Sequence, residues 1–307
     1  MIKPVLKVIP ALMLTLALGS PAVHGAGQAQ DAPAAPDKFV TGEWLAANLT
    51  NPNIRIVDLR EDVRSYWESH LPGAVYIDSP SLRWSDRGVP GKLMTARGLA
   101  LLLGEMGIGP NTQVIVYTEI NNYRGTYLIW ALDYIGHKSS AILMGGFDEW
   151  KKNSRPVTQD YPSIAPIEYR LPSKLHEEVR ATLQEVKGRN PDATVLLDVR
   201  TYDMYSGEKG PWKRKGHIKG AIHHLWAADL KTDGSWIPSG PLTKIYAEIG
   251  VTSDKTVYVS CSQGLMASHV YFTLRYVLGF PKVKNYDGSF SEWSTHDELP
   301  VEQTGKK

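Results

Sequence analysis

The feature that most constrains this chain is that it says nearly the same thing twice. Ile54-Arg55-Ile56-Val57-Asp58-Leu59-Arg60 matches Val195-Leu196-Leu197-Asp198-Val199-Arg200, and His70-Leu71-Pro72-Gly73-Ala74 matches His217-Ile218-Lys219-Gly220-Ala221. Further on, Gly146-Phe147-Asp148-Glu149-Trp150 matches Ser289-Phe290-Ser291-Glu292-Trp293. The paired motifs lie about 140 to 147 residues apart, a period that duplicates a whole domain rather than a solenoid unit. The largest insertion, residues 206–215, belongs to the second copy. A chain of 307 residues holds two cores of about 100–150 residues each.

Within each copy, short apolar runs alternate with amphipathic stretches. Strands are predicted at residues 54–58, 114–118 and 141–144, and again at 194–198, 256–260 and 283–286. Helices are predicted at 95–106, 125–134, 242–249 and 265–277. This alternation implies an α/β fold: two tandem domains, each a mostly parallel sheet flanked by helices. The expected boundaries are 39–154 for the first domain and 173–307 for the second. The linker at 155–172 is marked by Pro156, Pro162, Pro166 and Pro172.

Ahead of the repeat, Lys3 and Lys7 precede an apolar run that Pro10 interrupts, and small residues follow through Ala26. That order reads as a signal peptide over residues 1–26, and the run is shorter than the roughly 18–20 residues a membrane span needs. A flexible leader at 27–38 follows it, and the mature protein is expected to be exported, periplasmic or secreted, with no membrane attachment after signal removal. Net charge is +2 with no long Lys/Arg tract, which argues against a nucleic-acid partner.

Exported proteins use cysteines in disulfide pairs, yet this chain has a single one, Cys261. Its two readings are a small buried hydrophobe and a functional thiol. Cys261 directly follows the apolar run 256–260, and the helix predicted from Leu265 begins after Ser262-Gln263-Gly264. A thiol between a strand end and a helix start meets unpaired backbone N–H groups, which favour the thiolate, the nucleophilic form. The expected cradle is formed by Ser262, Gln263, Gly264, Leu265 and Met266, around a thiol open to solvent. Gly264 lets the backbone close around the sulfur.

Four motifs occur in order: Asp198-Val199-Arg200, Gly216-His217-Ile218-Lys219-Gly220-Ala221, the Cys261-x-x-Gly264 loop, and Tyr286-Asp287-Gly288-Ser289-Phe290-Ser291-Glu292-Trp293. Together they resemble the tandem-domain rhodanese and mercaptopyruvate sulfurtransferase family, over about residues 39–293. The resemblance implies that Cys261 takes up a sulfane sulfur as a persulfide and passes it to a thiophilic acceptor. It also implies a cysteine-free first copy, and the position matching Cys261 there is Thr118 or Glu119. The partners so implied are a small sulfur-donor anion and a thiol or cyanide acceptor, with no cofactor or metal.

The loop departs from the family in detail. Thiosulfate-specific members carry Arg-Lys after the cysteine, where this chain has Ser262-Gln263. Mercaptopyruvate-type members carry an arginine where this chain has Met204. Substrate-binding candidates are therefore Asp78 and Arg83, which fall where the family lines the cleft from the first copy. Arg214 is a further candidate, in a basic insertion (Lys209, Lys213, Lys215) whose other reading is a solvated face. Asp198 with Arg200 is expected to be structural support, since Asp58 and Arg60 duplicate the pair. His217 has its counterpart in His70 and is expected to keep the fold. A phosphatase or arsenate reductase loop needs Cys-x5-Arg, and Ala267 stands at that arginine position. The second reading kept is a non-catalytic sulfur carrier or binding protein of the same fold.

Overall fold

The computed structural model describes residues 38–304. The expected signal segment, 1–26, and all but the last residue of the expected leader, 27–38, lie outside the described residues. In chain order the first copy contains β1 (Phe39–Val40), α1 (Gly42–Ala47), β2 (Ile54–Asp58), α2 (Val63–Glu68) and β3 (Val75–Tyr76). It continues with β4 (Arg83–Asp86), β5 (Val89–Leu93), α3 (Ala96–Glu105), β6 (Gln113–Tyr117), α4 (Arg124–Tyr134), β7 (Ser140–Leu143) and α5 (Gly146–Lys152). The second copy contains α6 (Leu183–Lys187), β8 (Thr194–Asp198), α7 (Tyr202–Ser206), β9 (His217–Ile218), β10 (Ile222–His223) and α8 (Ser239–Glu248). It ends with β11 (Thr256–Ser260), α9 (Leu265–Phe272), β12 (Val283–Asn285), α10 (Ser289–Trp293) and β13 (Val301–Glu302).

The sheets are parallel, as the alternation predicts. The first has the order β1-β7-β6-β2-β3 and the second β10-β8-β11-β12. β2, β6 and β7 correspond to β8, β11 and β12. In place of a counterpart to β1, the second sheet has a single bridge between Arg180 and Asn285. The predicted helix over 265–277 ends its regular part at Phe272. From there the chain widens into a π-helical turn, Thr273–Val277, with Leu278 N–H donating to Thr273 O at 3.0 Å.

A feature the period-2 pattern did not reveal is the antiparallel hairpin β4–β5. Its turn carries Arg87 at φ 50° and Gly88 at φ 82°, the two left-handed residues a tight hairpin requires. Pro90 and Gly91 break the apolar alternation in β5 and so hide the strand from a sequence reading.

The copies share one core. A single apolar cluster contains Val57, Leu103, Val116 and Leu128 of the first copy together with Leu197, Val259, Cys261, Val270 and Phe272 of the second. Helices α4 and α9, each following the corresponding central strand, pack on one another, and Thr126 and Ser268 share a hydroxyl–hydroxyl hydrogen bond of 3.0 Å across that contact. The first copy is thus a wall of the second copy's interior. Smaller clusters cover the outer sheet faces, one around Leu45 and Trp150, the other around Phe290 and Trp293.

Candidate active site

β11 is buried from Val257 to Ser260 and delivers Cys261 to the carboxyl end of the second sheet, where a strand-to-helix loop binds ligands in folds of this kind. Gly264 caps α9 at φ 82°, and a Cβ there would stand 2.7 Å from Asp287 Cα, so no side chain fits. This turn aims the Gly264 amide at the cysteine: Gly264 N–H donates to Cys261 Sγ at 3.1 Å. Of the five loop amides expected to form the cradle, Gly264's is the one that reaches the sulfur. Ser262 instead offers its carbonyl to Ser291 N–H at 3.1 Å, the Gln263 side chain turns toward the first copy, and Leu265 and Met266 pack against the shared core.

The loop is clamped from below by the start of α10. Ser289 Oγ accepts from Cys261 N–H at 3.0 Å and from Gly264 N–H at 3.1 Å, and donates to Tyr286 O at 2.6 Å. Ser289 is held at φ 49°, a conformation that costs a non-glycine residue energy and persists where the surroundings over-determine it. Phe290 N–H donates to Cys261 O at 3.1 Å, and Asn285 Nδ2 donates to Gly264 O at 3.0 Å. Asp287, 1% exposed, accepts from Arg180 Nη2 at 2.9 Å and from Leu93 N–H of the first copy at 3.0 Å.

The expectation of a solvent-open thiol is not met. Cys261 is 0% exposed and belongs to the shared apolar cluster, because the first copy is packed over the loop. The contacts that hold it there are polar. Arg83 Nη2 donates to Gln263 O and Oε1, each at 3.1 Å, while its Nε donates to Gly91 O at 2.8 Å. Lys92 Nζ meets Glu292 Oε1 at 3.1 Å. Tyr123 of the first copy packs edge-on against Trp226 at 5.0 Å: burial pushes its hydroxyl up, Arg124 opposes this, and a charge on Cys261 adds to it.

Of the substrate-binding candidates, the structure brings Arg83 to the cysteine loop and uses the other two elsewhere. Asp78 caps a turn of 3-10 helix, accepting Ser81 N–H at 3.0 Å. Arg214 spends its guanidinium fork on the carbonyls of His296, at 2.6 Å, and Leu299, and so ties down the C-terminal segment. Lys209 is an exposed partner of Asp203 at 2.9 Å. Asp198 and Arg200 form a buried pair, with Arg200 Nε at 2.9 Å from Asp198 Oδ1 and Nη2 on Gly216 O at 2.7 Å. The first copy repeats this: Arg60 Nε lies 3.0 Å from Asp58 Oδ2 and its Nη2 2.7 Å from Ser69 O. The histidines repeat too. His70 Nδ1 pairs with Tyr66 O at 2.8 Å and His217 Nδ1 with Tyr205 O at 2.9 Å, each ring stacked on that tyrosine at 3.8 Å.

Asp287 and Ser289 were read only as part of the Tyr286–Trp293 motif, with no role given to either, and Asn285, Arg180 and Tyr123 were not singled out from the sequence. Ser289 left a usable signal: the repeat aligns it with Gly146, which sits at φ 56°, so a glycine-type position carries a hydroxyl in the cysteine-bearing copy alone. Arg180, which bonds Asp287, and Tyr123, which packs on Trp226, left none, because both lie outside the motif that carries the loop.

Comparison with known proteins places the chain. The rhodanese-like domain model matches twice, over residues 41–153 and 181–296. The sulfur carrier protein TtuD of Thermus thermophilus is 32% identical over 278 residues, 87% of this chain and 96% of that protein. A thiosulfate sulfurtransferase of Corynebacterium glutamicum is 33% identical over 87% of this chain and 91% of its own length, and one of Pseudomonas aeruginosa is 32% identical over 84% and 94%. Among solved structures, the anaerobic ergothioneine biosynthesis enzyme from Chlorobium limicola superposes with a TM-score of 0.79 at 22% identity, covering 88% of this chain and 71% of that one, a likeness of fold.

Proposed function

The chain belongs to the rhodanese family as a two-domain sulfurtransferase, and on that premise we propose that Cys261 carries the sulfur as a persulfide between an anionic donor and a thiophilic acceptor. The observation that carries this reading is the Gly264 amide directed at Cys261 Sγ from 3.1 Å, in a turn clamped by Ser289. An amide hydrogen aimed at sulfur stabilises negative charge there, on the thiolate and then on the persulfide.

With a thiosulfate-type donor, the Cys261 thiolate attacks the outer sulfur, a new S–S bond forms, and the donor's S–S bond breaks with its electron pair leaving on sulfite. A nucleophilic acceptor, cyanide or a thiolate, then attacks the outer persulfide sulfur, and the pair returns to Cys261 as thiolate. With a 3-mercaptopyruvate-type donor the C–S bond breaks instead, and the carbon left behind takes a proton. Arg83 supplies the cation the loop lacks: its hydrogen bonds go to carbonyl and amide oxygens rather than to a carboxylate, so its charge is free to attract an anion. The test is intact-protein mass spectrometry after exposure to each donor. Gain of one sulfur atom on the wild type but not on Cys261→Ala supports the proposal; loading of that variant defeats it.

The second reading, a sulfur carrier, is favoured by the complete burial of the sulfur and accords with the name of the Thermus thermophilus relative. Steady turnover to cyanide or a dithiol separates an enzyme from a carrier, which loads once and waits for its partner. We also propose export, on the strength of the basic, apolar and small-residue order of residues 1–26; recovery of intact residues 1–26 on protein from the cytoplasmic fraction alone would count against it.

A further inference from the structure

We propose that a small oxyanion, a carboxylate, sulfate or phosphate, binds in a cavity at the amino-terminal end of β2, held by Arg55. The cavity measures about 440 Å³ and is bounded by Asn53, Arg55, Gly107, Thr112 and the linker residues Ala165 and Ile167. It lies at the opposite end of the strand from the residues that follow Asp58, so it is separate from the strand-to-helix loops that form the sulfur site.

Arg55 is half-buried, and only part of its guanidinium is closed off from solvent. Arg60, Arg180 and Arg200 each face an aspartate at 2.9 Å or less. Arg55 faces none: its Nε–H is sealed from solvent without any hydrogen-bond partner among the described residues. Burial alone holds its guanidinium below the usual range, and no neighbouring carboxylate offsets that. A sealed, unsatisfied Nε–H on a half-buried guanidinium is costly, and an anion at the open edge of the group would offset that cost.

The surroundings suit an oxyanion. A Cβ at Gly107 would lie 2.9 Å from Arg55 Nη2, so the lack of a side chain there gives the guanidinium room beside the cavity. Thr112 Oγ1 already accepts from Gly109 N–H at 2.9 Å, so its own hydroxyl hydrogen is available to an acceptor. Ile164 covers one flank and supplies no charge. A planar fork beside a hydroxyl donor is the arrangement that recognises carboxylate, sulfate and phosphate oxygens.

The test compares thermal unfolding of the full chain and of Arg55→Met in chloride buffers of constant ionic strength, titrated with sulfate, phosphate or succinate. Sulfate raises Tm of any protein by surface exclusion, so the difference between the two chains is what reports a site. The expected result is a saturable rise of about 3 °C in the wild type beyond that of the variant, and the anion giving it at the lowest concentration identifies the oxyanion class. Equal rises in both chains overturn the proposal. Should Arg55→Met fail to fold, the wild-type amide NMR spectrum decides: saturable movement of the Gly107 and Thr112 resonances supports the site, and its absence overturns it. Sulfur transfer is read in parallel and is expected to be unchanged when Arg55 is replaced.

Discussion

The first copy keeps everything around its loop except the means to use it. Phe147 N–H donates to Thr118 O at 2.9 Å just as Phe290 N–H donates to Cys261 O at 3.1 Å, which identifies Thr118, rather than Glu119, as the counterpart of the cysteine. From there the loops diverge. In the second copy three residues lead to α9, and the left-handed Gly264 points its amide inward. In the first copy a longer loop leads to α4 and engages carboxylates: its Glu119 accepts from Glu61 N–H, just after β2, at 2.7 Å, and its Ile120 N–H donates to Asp148 of α5 at 2.7 Å. Two carboxylates at this loop disfavour a sulfur anion there. The lesson is that the framework and the chemistry are separable: the Asp-Arg pair and the stacked histidine maintain the fold in both copies, whereas the short turn and its serine clamp serve the thiol in one.

The sharpest break of that comparison is Cys261→Ser. Transfer is expected to fall to the uncatalysed background, with unfolding unchanged within a few degrees, in a thiocyanate assay run beside a melting curve; residual transfer would place the chemistry elsewhere. Next come Asp198→Ala and Asp58→Ala, each of which leaves a buried guanidinium unpaired and is expected to lower stability by about 3–5 kcal/mol in denaturant titrations. If one copy tolerates the change and the other does not, the two frameworks are not equivalent.

Acid stability offers a third contrast. His269 on α9, fully buried between Trp226 and Trp236, finds no hydrogen-bond partner on either ring nitrogen among the described residues, and burial pushes it down to about 4. The first copy's α4, Arg124–Tyr134, carries no histidine. Because its folded value lies below the unfolded one, the unfolded chain takes up the proton first as pH falls. Stability from this residue is therefore undiminished above about pH 6.5 and declines toward pH 4, by about 3 kcal/mol in all. His269→Phe is expected to flatten that limb of the stability profile, and an unchanged limb would assign the acid sensitivity to other groups.

Ser289 sharpens the contrast at the site itself. Ser289→Ala removes the acceptor of two loop amides and is expected to lower kcat/KM about 10- to 100-fold. Ser289→Gly, which copies Gly146, relieves the backbone but also loses the hydroxyl; if its activity equals that of the wild type, the clamp is irrelevant. The smallest effect is expected from Arg83→Gln, about a 10-fold rise in KM for an anionic donor with kcat little changed. Its salt dependence should weaken in step, and a fall in kcat alone would argue against a binding role.

Much of this molecule was legible in the order of its residues. The repeat announced two copies, β-branched runs marked β2, β6, β8 and β11 to within a residue or two, and the duplication of Asp58–Arg60 as Asp198–Arg200 separated framework from chemistry. These features are local or periodic, and a one-dimensional pattern carries them. The β4–β5 hairpin, the burial of Cys261 beneath the first copy, the reach of Arg83 to Gln263 and the diversion of Arg214 to the carbonyls of His296 and Leu299 were decided by the tertiary structure alone. The burial of Cys261 and the reach of Arg83 to Gln263, 180 positions away, depend on which surfaces the two copies turn toward one another. Arg214 reaches far along its own copy, and the hairpin, though local, is masked by Pro90 and Gly91, so no simple period encodes any of them.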